Sequence, residues 1–179
     1  PRKLPAGMHY EGPVRSVDIM PTILGLADSD ASGTQGTDLG KAFAGAASLP
    51  SLPQYSESLH PELEYGMARL QGLRSDEWTY IRAPRPELYN RSQDPSETRN
   101  LLEPPPTDRD KAILQAAKTR AARLDERLTE ILEESKRFGI APQENPLDQE
   151  TIEMLRALGY VADSNARSGL EGMDPKDGL

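Results

Sequence analysis

Between residues 54 and 137 the hydrophobic pattern changes period once, and that change restricts the chain to few folds. From Gln54 to Asn90, apolar and aromatic residues alternate in short runs separated by turn residues, which predicts strands over 54–58, 65–74, 78–83 and 87–90. Ser75-Asp76-Glu77 suits a tight antiparallel turn, and Pro84-Arg85-Pro86 lacks two backbone donors and suits a loop. On the third strand Trp78, Tyr80 and Arg82 share one face, opposite Thr79, Ile81 and Ala83. After Pro104-Pro105-Pro106 the period lengthens. Ile113, Leu114, Ala117, Ala121, Leu124, Leu128, Ile131 and Leu132 form the apolar stripe of one long helix. Thr107 with Asp110 approximates a capping box, and Gly139 is placed to end the helix in a left-handed cap. The fold class expected is α+β, a small antiparallel sheet of about four strands packed on a long helix.

The flanks are less regular. Residues 1–15 carry prolines at 1, 5 and 13 and glycines at 7 and 12, which favours a loop. A short helix should follow, capped by Ser16 or Asp18, with Ile19, Ile23, Leu24 and Ala27 on a side that must be buried against something. Residues 28–53 read as a long connection holding one helical turn at most. A further helix is expected over 148–158, and 162–179 reads as a linker.

Leu, Ile, Val and Phe fill only 34 of 179 positions, so part of the chain is not expected to fold alone. A net charge of −8 disfavours attraction to nucleic-acid phosphates, and no nucleic-acid partner is expected. The absence of cysteine excludes disulfides, thiolate metal sites and cysteine nucleophiles within these residues, and two histidines cannot build a polyhistidine site. No apolar run is long enough to span a membrane. The opening Pro1-Arg2-Lys3-Leu4-Pro5 resembles no targeting segment and reads as a cut within a longer polypeptide.

Candidate chemistry is sparse. His60, between Leu59 and Pro61 on the loop expected between two strands, could carry a proton near neutral pH, although a solvent-exposed loop histidine is the plainer reading. His9 has a weaker case. The pairs Glu62/Glu64, Asp76/Glu77 and Asp108/Asp110 lack calcium-loop spacing and read as turns, strand faces or helix starts. No phosphate-binding glycine loop, nucleophile elbow or H-E-x-x-H helix is present, so the residues form no complete catalytic set and no metal site.

Several stretches together resemble a known family. Val14-Arg15-Ser16-Val17-Asp18-Ile19-Met20-Pro21-Thr22-Ile23-Leu24 resembles the V-D-I-x-P-T-h-L helix (h apolar) near the end of the large domain of formylglycine-dependent sulfatases. Gln35-Gly36-Thr37-Asp38-Leu39 is similar to their D-G-x-S-L turn, departing at Gln35 and Asp38. Tyr55-Ser56-Glu57-Ser58 resembles the first strand of their C-terminal sheet, and the stretch from Leu73 to Ile81 resembles their R-x-x-x-W-K-Y-I hairpin, with Thr79 in place of lysine. Glu87-Leu88-Tyr89-Asn90, Asp94-Pro95, Glu97 and Asn100-Leu101 follow E-L-Y-D-L-x-x-D-P-x-E-x-x-N-L, departing at Asn90 and Arg91. The resemblance extends over residues 1–137, and the order of the five motifs makes it specific. Leu155-Arg156-Ala157-Leu158-Gly159-Tyr160-Val161, then Asp174-Pro175-Lys176-Asp177, resembles the exit of bacterial sulfatase-like proteins into helical repeats.

The resemblance implies the C-terminal part of an alkaline-phosphatase-like α/β hydrolase that cleaves sulfate esters with a formylglycine nucleophile and a calcium ion. Residues 1–53 would be the tail of its large domain, 54–138 its sheet-plus-helix subdomain, 139–161 a helical extension and 162–179 a flexible linker. Formylglycine arises from C/S-x-P-x-R, which this chain lacks, so catalytic and metal residues are expected in an upstream large catalytic domain. His60 is left as a candidate for the substrate cleft. A sulfated small molecule or glycan is the implied substrate, downstream helical repeats an implied neighbour, and a periplasmic or extracellular setting the implied location. The fragment alone is expected to be marginally stable and inactive. A phosphodiesterase or phosphonate hydrolase on the same fold, and a non-catalytic module pairing through the 107–137 helix, are the alternatives.

Overall fold

The computed structural model describes residues 4, 6–7, 9–10, 12–43, 52–104, 110–139, 148–158 and 169–178. Its centre is an antiparallel sheet of β1 (Gln54–Ser58), β2 (Leu70–Ser75), β3 (Trp78–Arg82) and β4 (Glu87–Asn90), in that spatial order. The register aligns Tyr55, Leu73, Tyr80 and Leu88 in one row across the sheet. Directly paired residues share a face, so this row is the apolar surface the sheet must cover. The chain is α+β, as its change of period predicts.

The cover is α4 (Lys111–Lys136), which brings buried Ala117, Ala121, Leu124 and Leu128 onto buried Leu73, Tyr80 and Leu88. Two alanines at successive turns let the helix axis approach the strands, and the leucines below them fill the widening space. The stripe is thus occupied by the chain's own sheet and is not free to serve as a coiled-coil seam. Its first member, Ile113, lies beyond the sheet and is 50% exposed. Trp78 closes the margin, with the Arg120 guanidinium 5.1 Å from its ring centroid.

A polar clamp fixes the helix along the strand. Tyr80 Oη donates to Asp125 Oδ1 at 2.9 Å, Arg82 Nε donates to the same oxygen at 2.6 Å, and Arg82 Nη2 reaches Asp125 O and Thr129 Oγ1. Burial, then the bond to Asp125, pushes the Tyr80 phenol from its ordinary 10.0 up to about 12. A raised folded-state value stabilises fully below the unfolded pKa and is lost as pH climbs through the folded one. Tyr80→Phe is therefore expected to remove a tyrosinate absorbance step near pH 12 and to flatten the fall in stability between pH 10 and 12. If the step that disappears lies near pH 10 instead, the clamp is ruled out.

Several local expectations need correction. The second strand begins at Leu70 rather than Tyr65, because residues 60–65 form α3 (His60–Tyr65), with Pro61 in its first turn and Gly66 at φ +70° as its left-handed stop. His60 is therefore the first residue of a helix, not part of a loop. Asp110 flanks α4 but makes no side-chain cap, and its expected partner Thr107 lies outside the described residues. The helix ends at Lys136 with Arg137 still right-handed, and Gly139 is not left-handed. The end of the chain is not a free linker where it is described: residues 169–178 lie against the loop between α3 and β2, where Ala68 N donates to Met173 O at 2.9 Å.

Before the sheet come a 3₁₀ turn (Ser16–Asp18), α1 (Ile19–Leu26) and the single turn α2 (Gly40–Phe43). α5 (Gln149–Ala157) is capped by Asp148, which accepts from Thr151 N. The side of α1 expected to be buried is bare within this chain, with Ile19 59% and Ile23 55% exposed. Its substantial contacts are with the 3₁₀ turn and α2, not with the sheet.

Candidate functional site

The motif residues group into two internal fasteners. The first joins α1 to the turn at residues 36–39. Asp18 is fully buried, and its carboxylate accepts from Arg15 N, Nε and Nη2 and from Thr37 N, at 2.7–3.1 Å. Neither Ser16 nor Asp18 caps α1 with its side chain, because this carboxylate faces the turn instead. Burial raises the Asp18 pKa, but hydrogen bonds from Arg15 and Thr37 outweigh it and hold the carboxyl below its ordinary value. Thr22 Oγ1 donates to Asp18 O and accepts from Leu39 N. Gly36 sits at φ +95° against Val17 O, where a Cβ would come within 2.2 Å, so only glycine fits.

The second fastener closes the β4 edge. Asn100 Oδ1 accepts from Leu88 N and Leu102 N, and Leu101 N donates to Leu88 O. Asp94 accepts from Thr98 Oγ1 and Arg99 N, folding the loop so that Glu97 accepts from Thr79 Oγ1 at 2.7 Å and Arg74 Nη2 at 3.0 Å. Asn90 supplies an acceptor to Ser92 N, Ser92 Oγ and Gln93 N, so its departure from aspartate leaves the turn intact. These are architectural roles.

His60 is exposed at the start of α3, its ring edge-on to Tyr65 with centroids 5.8 Å apart. It lines none of three clefts described here. The largest of these, about 1010 Å³, lies between residues 14–17 and 34–37 on one side and the sheet and end of α4 on the other. Its cations are matched: Arg15 by Asp18, Arg74 by Glu97, Arg127 by Glu130. The acidic pairs are equally accounted for where described. Glu62 binds Arg69 at 2.7 Å, Asp76 and Glu77 make the β2–β3 turn, and Asp110 starts α4, while Asp108 lies outside the described residues. Among the described residues no three of His, Asp and Glu converge to hold a metal ion. Sequence reasoning missed the burial of Asp18 and Asp174, the two most deeply buried carboxylates among the described residues.

The described residues form an α+β unit held by two polar fasteners. No family model and no curated protein matches the chain. Among solved structures it is similar to Ps i-CgsB and to the same protein in complex with k-i-k-neocarrahexaose, each at 19% identity and a TM-score of 0.47. The alignments cover 93% of this chain and 33% of theirs, so the chain spans about a third of the length of these neighbours.

Proposed function

We propose that the chain is the C-terminal portion of a formylglycine-dependent sulfatase built on an alkaline-phosphatase-like body, where it completes the fold and the rim of the substrate cleft. The observation that carries this reading is the bare face of α1. Val17 in the 3₁₀ turn and Ile19, Met20 and Ile23 on α1 are all exposed, in the stretch whose sequence resembles the sulfatase motif. Being about half exposed, each has roughly half of the 1.5–3 kcal/mol of full burial left to gain, so covering them contributes several kcal/mol, a sizeable part of a small domain's margin of stability. An upstream catalytic domain is the natural cover. The ordered run of motifs supports the same reading, because each has a defined architectural job here.

Calcium and formylglycine do not fit the described residues, which offer neither a converging acidic set nor a C/S-x-P-x-R sequence. Both belong to the proposed upstream domain, and no catalytic step is assigned to this chain. A sulfated small molecule or glycan is the proposed substrate, and a periplasmic or extracellular setting the proposed location. No helix among the described residues is long and apolar enough to cross a membrane.

The test is to express the chain joined to the polypeptide encoded upstream and to measure sulfate release from an aryl sulfate, with and without a calcium chelator. Chelator-sensitive release by the joined protein, and none by the 179-residue chain alone, is the expected result. Turnover by the chain alone, or cleavage of phosphodiesters but not sulfate esters by the joined protein, would overturn the reading.

A further inference from the structure

Residues 169–178 carry more specific contacts than a linker requires. Gly172 N donates to Gly66 O at 3.0 Å and Ala68 N donates to Met173 O at 2.9 Å, so the segment is held beside residues 66–68. Asp174 is only 4% exposed. Its carboxylate accepts from Arg85 N and Lys176 N, both at 3.0 Å, with the Lys176 ammonium 3.5 Å away. Lys176 Nζ then returns to Arg85 O and Glu87, and Asp177 pairs with Arg85 at 2.7 Å. Gly178 lies over the buried Met67 side chain. A carboxylate is kept from water only where hydrogen bonds and opposite charge replace its hydration, so this one marks a built contact.

The partner it fastens is weak on its own. α3 has six residues and none of them is buried. Isolated helices shorter than about 12 residues are marginal in water. Its C-terminal turn is closed by Gly66 N to Glu62 O and Met67 N to Pro61 O, and the next carbonyl along, Gly66 O, is taken by Gly172.

We propose that residues 169–178 are a strap whose docking, locked by Asp174, orders α3 and with it His60. The strap couples the position of the chain's last segment to that helix, so a load or competing partner acting on residues 169–178 would be felt at His60. Only the relevance of His60 to a cleft rim rests on the functional reading above. The strap itself does not.

Amide hydrogen exchange on the full chain tests this without reference to activity. In Asp174→Ala, the amides of Ala68, Gly66 and Leu63 should exchange about tenfold faster or more, as expected when buried partners are left unsatisfied. Those of Leu73 and Tyr80 should keep their wild-type rates. Unchanged exchange at Gly66 and Leu63 would overturn the proposal. Should Asp174→Ala unfold the whole chain, Gly172→Pro decides, since it removes the donor to Gly66 O and, at a φ of +70° that proline cannot adopt, displaces the strap while keeping the Asp174 carboxylate. Faster exchange confined to residues 60–68 supports the strap, and wild-type rates there refute it.

Discussion

Asp18→Ala is expected to release residues 14–43 from their folded arrangement while leaving the sheet and α4 in place. The substitution removes the acceptor for the Thr37 amide and for three donors of Arg15, whose side chain is only 21% exposed. Breaking a buried pair from one side costs about 3–5 kcal/mol, because the remaining charge is left without hydration or partner. α1 has little with which to offset that loss. It is eight residues long and buries only Pro21 and Thr22. A loss of about 3 kcal/mol corresponds to roughly a hundredfold change in the opening equilibrium, so exchange at Thr37 and Leu39 should quicken by at least that factor. The pH dependence has a definite sign. Asp18 is held below its ordinary 3.8, so its contribution is complete above the unfolded pKa and is lost as pH falls through the lower folded value. Acidification below pH 4 should therefore open the wild-type segment, after correction for intrinsic exchange rates, and should have much less effect on Asp18→Asn. Wild-type exchange at Thr37 in Asp18→Ala would show that the carboxylate is not what holds the turn.

The same residue shows where sequence reading stops. A lone aspartate before a helix is most simply a cap, and only its spacing to Arg15 and Thr22 hints at more. Its partner Thr37 comes from a turn nineteen positions on, which no local pattern reveals. The strands β1 and β4 were legible to the residue because alternation and flanking breakers agree there. The second strand was not, since Tyr65 and Met67 extend its alternation backwards past Leu70, whereas Pro61 in the first turn and Gly66 at the stop make residues 60–65 a helix. Residues 169–178 read as a linker because composition averages over the one buried carboxylate that matters. The stripe of α4 was plain, yet periodicity alone could not say that Ile113 overruns the sheet. For the candidate site, the sequence shows that His60 could carry a proton but not where it stands. His60 lies on a helix outside the clefts described, its ring edge-on to Tyr65.

Leu128→Ala is expected to bring the sheet and helix close to their unfolding point. Leu128 has no exposed surface and meets the row made by Leu73, Tyr80 and Leu88. Truncating a fully buried leucine costs about 2–5 kcal/mol, with the larger values where the surroundings cannot collapse into the cavity. Collapse is hindered here, because the polar clamp of Tyr80, Arg82 and Asp125 holds α4 at a fixed distance from β3. Against a domain stability of about 5–15 kcal/mol, in a chain poor in core formers, that is a large fraction. Trp78, the single tryptophan, packs at the same interface, so its fluorescence and the helical circular dichroism should report one shared fall in the urea midpoint. Ile113→Ala is the control on the same sequence stripe. Being half exposed, it should cost no more than about 0.5 kcal/mol. Equal losses in the two variants would mean that α4 does not sit on the sheet in this register. Combining Leu128→Ala with Asp18→Ala should give effects that add, since the two residues share no partner and α1 makes no substantial contact with the sheet. A strong departure from additivity would mean that residues 14–43 already belong to the sheet's cooperative unit, and the bare face of α1 would then need no upstream domain to explain it.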